Sequence, residues 1–173
     1  MALDFALQLK KNIDQLNKLR DDIRKTSRIK HKSKEDQEKL AMTCKIFYDN
    51  FYDLAFPGGY QAICDLKKSE PQAIDNAIAY LKANPYFFRS GYIKEHILTT
   101  LKKLDLTALQ QLKLQNVIIN VIDLYYCREF RYYCRLAKKI PSEFFIEKLQ
   151  RKSKSGDLNI AKRASWVLDS ILK

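Results

Sequence analysis

The residues best suited to binding a charged ligand are concentrated in one segment, from Asp123 to Ile140. It holds four tyrosines, one phenylalanine, three arginines and two lysines against two acidic residues. Read as a helix, the segment separates into an apolar stripe and a basic ridge beside it. The stripe comprises Tyr126, Phe130, Tyr133, Ala137 and Ile140, and the ridge comprises Arg128, Arg131, Arg135 and Lys138. We expect the stripe to pack in the core and the ridge to face a partner.

Motifs for catalysis are scarce in the rest of the chain. The sequence contains two histidines, His31 and His96, and no H-E-x-x-H, P-loop, dinucleotide-binding or G-x-S-x-G motif. The spacing of the cysteines and histidines matches no zinc site, so we predict no metal ligand, no cofactor and no catalytic residue. We expect His96 to lie at the edge of the core and the single tryptophan, Trp166, to be a packing residue.

The net charge of the chain is +12, and its distribution is uneven. Residues 128–173 contain 12 Lys and Arg against 5 Asp and Glu, which accounts for more than half of the excess. A basic surface of this size attracts nucleic acid, anionic lipid or an acidic protein, although it can also serve solubility alone.

The four cysteines, Cys44, Cys64, Cys127 and Cys134, indicate a cytoplasmic protein with reduced thiols. Cys127 and Cys134 are seven residues apart, which on one helix places them about 10 Å apart in rise, too far for a disulfide. The longest apolar run, 117–122, is interrupted by Asn120 and is too short to cross a membrane.

A second basic segment, residues 24–34, contains no acid. We predict an exposed linker between two helices there. It fits either an arm that contacts nucleic acid or a solvated loop that complements the C-terminus of the preceding helix. Its bases are Arg24, Lys25, Arg28, Lys30, Lys32 and Lys34.

Scarce glycine and proline favour an all-α chain, which we predict to be one domain over residues 1–173. Residues 1–68 form N-terminal helices, with Ser33 and Asp36 as a capping box. Helix pairs then start near residues 71, 106 and 142, a period of 35 to 36 residues, and occupy 71–172. Because residues 106–139 lack proline and glycine, the period alone predicts a break near 123–127.

The last predicted pair carries a family resemblance. Its first helix has Phe144, Phe145 and Leu149. Its second helix runs from Asp157 through Ile160, Arg163 and Ala164 to Leu168. This pair resembles a HEAT repeat of the HEAT and armadillo-like α-solenoids, most clearly over residues 141–172. The resemblance implies an α-α superhelix of helical hairpins whose second helices line a concave face.

On such a concave face, Lys162 and Arg163 would continue the basic ridge on one side and Lys94 on the other. Arginine offers forked donors to phosphate, and Tyr125 and Tyr132 can stack on unpaired bases. We therefore predict a non-catalytic module that binds nucleic acid or another polyanion. Two alternatives stay open: a protein-binding solenoid with an acidic partner, and a HEAT-like DNA-repair enzyme.

Overall fold

A computed structural model describes residues 2–29, 33–124 and 126–172, with side chains from residue 5 onward. All regular structure in these ranges is helical, which confirms the all-α prediction. The helices are α1 (Ala2–Ser27), α2 (Lys34–Ala55), α3 (Gly59–Lys67), α4 (Pro71–Ala83), α5 (Ser90–Leu101), α6 (Ala108–Leu124), α7 (Phe130–Ala137), α8 (Glu143–Ser153) and α9 (Leu158–Leu172). The chain divides into two compact units, with the boundary between Ser90 and Gly91. The single-domain prediction stays a prediction.

In the first unit, α1 packs along α2, and α3 and α4 pack against the same pair. Aromatic side chains dominate its core, because Phe47, Phe51 and Phe56 of α2 and its C-terminus are all buried. Tyr48 and Tyr52 of α2 are about half exposed and therefore lie at the border of this core.

Local signals set several helix starts as expected. Ser33 and Asp36 form the predicted capping box, in which the Ser33 hydroxyl accepts from the Asp36 N–H and the Asp36 carboxylate accepts from the Ser33 N–H. Pro71 occupies the first turn of α4, and the Ser142 hydroxyl accepts from the N–H of Phe145 to cap α8. Asp157 caps α9 through the N–H groups of Asn159 and Ile160.

Part of the predicted linker, residues 24–34, belongs to the helices on either side of it. Arg24 and Lys25 belong to the last turn of α1, where they pair with Asp21 at 3.4 Å and Asp22 at 3.7 Å. Their position at a helix C-terminus is electrostatically favourable, so they fit the second of the two interpretations. Arg28 follows α1, and Lys34 is the first residue of α2. Lys30 and Lys32 lie outside the described residues.

In the second unit, side-chain hydrogen bonds tie the helices together. The Gln115 amide of α6 donates to the Ile140 carbonyl at 2.9 Å, just before α8. Ser170 of α9 donates to the Cys134 carbonyl of α7, also at 2.9 Å. In the same unit α9 packs against α7 and α8, and α6 contacts all three of these helices.

The segment from Asp123 to Ile140 is not one helix, so its interpretation as a continuous helix was wrong. α6 ends at Leu124 and α7 begins at Phe130, which confirms the predicted break between these two helices. No proline or glycine causes this break. Instead, tertiary contacts hold the connecting residues outside the helix: Glu129 is drawn into the core against Lys94, and the Tyr126 ring lies against Trp166.

Candidate nucleic-acid interface

The exposed side of α7 carries most of the predicted basic ridge. Arg131 and Arg135 lie one turn apart on the helix, Arg128 lies in the turn that precedes it, and Lys138 follows its last residue; all four are exposed. Tyr126 does not belong to the buried stripe, because its ring is 63% exposed, whereas Phe130, Tyr133, Ala137 and Ile140 are buried as predicted. Tyr125 lies outside the described residues.

Each of the three guanidinium groups lies over the face of a tyrosine ring. Arg128 lies over Tyr92 of α5, with its guanidinium carbon 3.8 Å from the ring centre. Arg131 and Arg135 lie over the Tyr132 ring at 4.9 and 5.1 Å. We call these five residues the arginine–tyrosine cluster.

Hydrogen bonds connect the cluster to α5. The Arg131 guanidinium donates to the Tyr132 hydroxyl at 3.1 Å, and that hydroxyl donates to the Glu95 carboxylate. The other Glu95 oxygen lies 3.9 Å from the Arg128 guanidinium. The single half-buried Glu95 carboxylate thus offsets only part of the charge of the three guanidinium groups, and the cluster keeps a net positive charge. A hydrogen bond with the Tyr92 side chain is the main cause that raises the pKa of Arg128 above its usual value.

Two of the expected contributors to the ridge are buried, so their prediction as anion ligands was wrong. Lys94 is 1% exposed, and its ammonium lies 3.2 Å from the Glu129 carboxylate, which is itself 6% exposed. Arg163 is 8% exposed, and its Nε donates to the Ile122 carbonyl at 2.7 Å. That carbonyl belongs to the last turn of α6, where backbone acceptors have no partner within the helix and a cation is favoured.

Lys162 remains exposed on α9, where its ammonium lies 5.3 Å from the centre of the Trp166 ring. Trp166 makes packing contacts with Tyr126 and Phe130, as expected, yet 41% of it is exposed. The packing prediction for Trp166 is therefore correct only in part.

Sequence reasoning missed Tyr92 and Glu95 as members of the site. Both lie on α5, more than thirty residues before α7, and no local pattern marks them as partners of Arg128 or Tyr132. Glu129, although it lies next to the ridge in sequence, faces Lys94 of α5. His96, which was expected at the edge of the core, is exposed on α5.

Two thiols beside this surface are poorly suited to nucleophilic catalysis. Burial, reinforced by the charge of Glu129, raises the pKa of Cys127 from 9.0 to about 12, and burial raises the pKa of Cys134 to about 11. A thiol is nucleophilic as its thiolate, so neither cysteine is activated. Within the described ranges, no three His, Cys, Asp or Glu side chains are grouped closely enough to hold a metal ion.

Comparison of the chain with protein-family models, curated proteins and solved structures finds no match. The resemblance of residues 141–172 to a HEAT repeat therefore stays a prediction. Among the helices described here, none is long and apolar enough to cross a membrane.

Proposed function

We propose that the chain is a non-catalytic binding module whose arginine–tyrosine cluster contacts nucleic acid or another polyanion. The observation that carries the proposal is the stacking of three exposed guanidinium groups on two tyrosine rings, with a carboxylate beside only one of them, Arg128. A ring that covers the face of a guanidinium leaves the N–H donors along its edge directed toward solvent. Those donors match the oxygens of a phosphate or carboxylate.

Preorganisation favours this function over a purely structural role. Arginine side chains lose considerable rotamer freedom when a ligand immobilises them, and the rings of Tyr92 and Tyr132 already restrict Arg128, Arg131 and Arg135. Holding like charges near one another is unfavourable in the unbound protein, and a bound polyanion relieves the repulsion.

We also propose that the second unit has a HEAT-like arrangement. Its support is the way the helices pair: α7 packs against α9, α6 contacts α8, and Lys94 of α5 pairs with Glu129 at the start of α7. Helices α6 and α8 begin at Ala108 and Glu143, 35 residues apart, close to the predicted period. In this arrangement α5, α7 and α9 are the second helices, so the cluster would lie on the concave face.

A protein-binding solenoid with an acidic partner is the second candidate. The exposed rings of Tyr126 and Trp166 favour it, because apolar side chains beside charged ones are common at protein interfaces. The third alternative, a DNA-repair enzyme, stays a prediction.

Charge-matched variants test the proposal. Replacing Arg128, Arg131 and Arg135 by alanine removes three charges from the cluster. Replacing Lys148, Arg151 and Lys154 removes three charges from α8 and the residue that follows it. We expect the first variant to bind heparin and an oligonucleotide of about 16 nucleotides roughly 100-fold more weakly, from about 1 kcal/mol per lost arginine contact.

The α8 variant should bind nearly as tightly as the parent protein, and circular dichroism should show that both variants are folded. Equal losses in the two variants would mean that general charge, and not the cluster, attracts the polyanion. Undiminished binding by the arginine variant would overturn the proposal.

A further inference from the structure

Two exposed aromatic rings lie beside the arginine–tyrosine cluster and have no role in it. Tyr126 is 63% exposed and Trp166 is 41% exposed. Their ring centres are 5.7 Å apart in an edge-to-face arrangement, and both rings rest on Phe130, which is 1% exposed, at 5.9 and 6.1 Å. The buried Phe130 ring therefore fixes two rings that are open to solvent. We call Tyr126 and Trp166 the aromatic platform.

The platform and the cluster occupy opposite sides of the start of α7. Phe130 begins α7 and contacts Trp166 of α9, whereas Arg128 and Tyr132 contact Tyr92 and Glu95 of α5. Tyr126 precedes Arg128 by two residues, so the connecting turn carries a ring of the platform and a cation of the cluster. On the far side, the Lys162 ammonium lies 5.3 Å from the Trp166 ring centre.

Rings and cations thus alternate across three neighbouring helices. The order from α5 to α9 is Tyr92 with Arg128, then Tyr126, then Trp166 with Lys162. The axes of packed helices such as α7 and α9 are about 8–10 Å apart, and the contact of Arg128 with Tyr92 extends the row beyond that distance to α5. A short run of nucleotides covers such a row, and the alternation provides stacking faces between charges that bind phosphate.

We propose that the ligand of this surface is a single-stranded nucleic acid, whose bases stack on the aromatic platform while its phosphates contact Arg128 and Lys162. The proposal rests on the proposed function and restricts its ligand from polyanions in general to single-stranded nucleic acid. The faces of bases are accessible in a single strand, whereas pairing and stacking hide them in a duplex. Heparin and a duplex can use the cations of the row, but only unpaired bases can also use its rings.

Chemistry also favours an unpaired base over an acidic peptide on the platform. A carboxylate alone would satisfy Arg128 and Lys162 without covering Tyr126 or Trp166, so a protein partner would need apolar side chains between its acidic ones, whereas every nucleotide carries both a base and a phosphate. A base covers a ring of similar size, and each base–aromatic stack contributes a factor of about five to one hundred in affinity with little sequence preference. We therefore expect weak discrimination among base sequences and strong discrimination between single and double strands.

Trp166 is the single tryptophan of the chain, so its intrinsic fluorescence reports directly on the platform. The protein is titrated with a single-stranded oligonucleotide of about 16 nucleotides, with the corresponding duplex and with heparin. We expect strong quenching by the single strand and little quenching by the duplex or heparin. We also expect the single strand to bind about tenfold or more tightly than the duplex at equal salt.

Substitution of Tyr126 by leucine provides the matched test, because this ring is largely exposed and its loss leaves Phe130 in place. Y126L should lower the affinity for the single strand by about five- to hundredfold and leave the affinities for duplex and heparin unchanged. W166L should have the same selective effect, measured by fluorescence anisotropy of a labelled strand.

The possible outcomes separate the two proposals. If no polyanion binds, the proposed function fails and this inference fails with it. If heparin, duplex and single strand bind alike through the arginines, without quenching and without loss in Y126L, only this inference is overturned. Binding of an acidic peptide in place of any nucleic acid would also overturn it.

Discussion

The guanidinium of Arg128 lies 3.8 Å from the centre of the Tyr92 ring and 3.9 Å from a carboxylate oxygen of Glu95. This relationship attaches the turn before α7 to α5 and orients a cation that is otherwise half exposed. The ring, through its face, fixes the guanidinium without neutralising it, because a tyrosine side chain is uncharged at neutral pH. Orientation and charge can therefore be altered separately by mutation.

Substitutions that keep the charge should still weaken ligand binding. Tyr92→Leu removes the ring that orients the Arg128 guanidinium, and Arg128→Lys replaces the forked guanidinium donors by a single ammonium. We expect each to lower the affinity for the oligonucleotide about three- to tenfold, corresponding to roughly 1 kcal/mol of lost preorganisation. The slope of log K against log salt should stay unchanged, because the number of cations is the same. Undiminished affinity in both variants would show that charge alone is sufficient.

The buried pair of Lys94 and Glu129 should contribute to folding and not to ligand binding. Lys94→Met leaves the Glu129 carboxylate buried without its cation, which should lower the free energy of unfolding by about 3–5 kcal/mol. The double variant with Glu129→Leu should recover most of this loss, because no isolated charge remains. Urea unfolding measures both. A loss below about 1 kcal/mol in the single variant would contradict the burial of the pair.

Arg163 and its neighbour Lys162 should show opposite behaviour. Arg163→Met removes the donor to the Ile122 carbonyl and should cost about 1.5–3 kcal/mol of stability without changing affinity for the single strand. Lys162→Ala removes an exposed cation and should change stability by no more than about 0.5 kcal/mol while weakening binding. Urea unfolding and anisotropy on the same two proteins provide the measurements. Reversed results would restore the sequence-based prediction for Arg163.

The two thiols near α7 should make stability fall in alkaline solution. Below pH 9.0 they are protonated in both the folded and unfolded states, so their contribution does not depend on pH. As pH rises from 9.0 toward about 11 and 12, the unfolded thiols ionise first, and the folded state binds more protons than the unfolded state. The free energy of unfolding must then decrease with pH.

A variant with Cys127→Ala and Cys134→Ala provides the control, because tyrosines and lysines titrate in the same range. Its stability should fall less steeply above pH 9.0 than that of the parent protein. Iodoacetamide should also modify these two cysteines slowly in the folded protein and rapidly after unfolding. Parallel pH profiles in the two proteins would contradict the raised pKa values.

Local chemistry made much of the fold predictable. Ser33 with Asp36, Pro71 and Ser142 start helices through hydrogen bonds or backbone restrictions that involve residues within one turn. The break after Leu124 carries no such signal, and it was predicted from the period of the helix pairs alone. Its physical causes are contacts with Lys94 and Trp166, which are remote in sequence.

The candidate site was predictable only in part for the same reason. Arg128, Arg131 and Arg135 could be placed on one surface from their spacing, and the concave face implied by the HEAT resemblance assigned Lys94 and Arg163 to that surface as well. Charged residues are rarely buried unless they are paired, and the partners of these two, Glu129 and the Ile122 carbonyl, lie 35 and 41 residues away. Tyr126 shows the converse. Helical spacing assigned it to the buried stripe, but it precedes the start of α7, where that spacing does not apply, and it is exposed.

The salt dependence of binding tests the central claim most directly. Affinity for the single-stranded oligonucleotide is measured between about 50 and 200 mM salt for the parent protein and for the variant with Arg128, Arg131 and Arg135 replaced by alanine. We predict a steep negative slope of log K against log salt for the parent protein. The slope should be shallower by about 2 in the variant, from roughly 0.7 per lost phosphate contact. Equal slopes for the two proteins would contradict the assignment of the arginine–tyrosine cluster as the polyanion-binding surface.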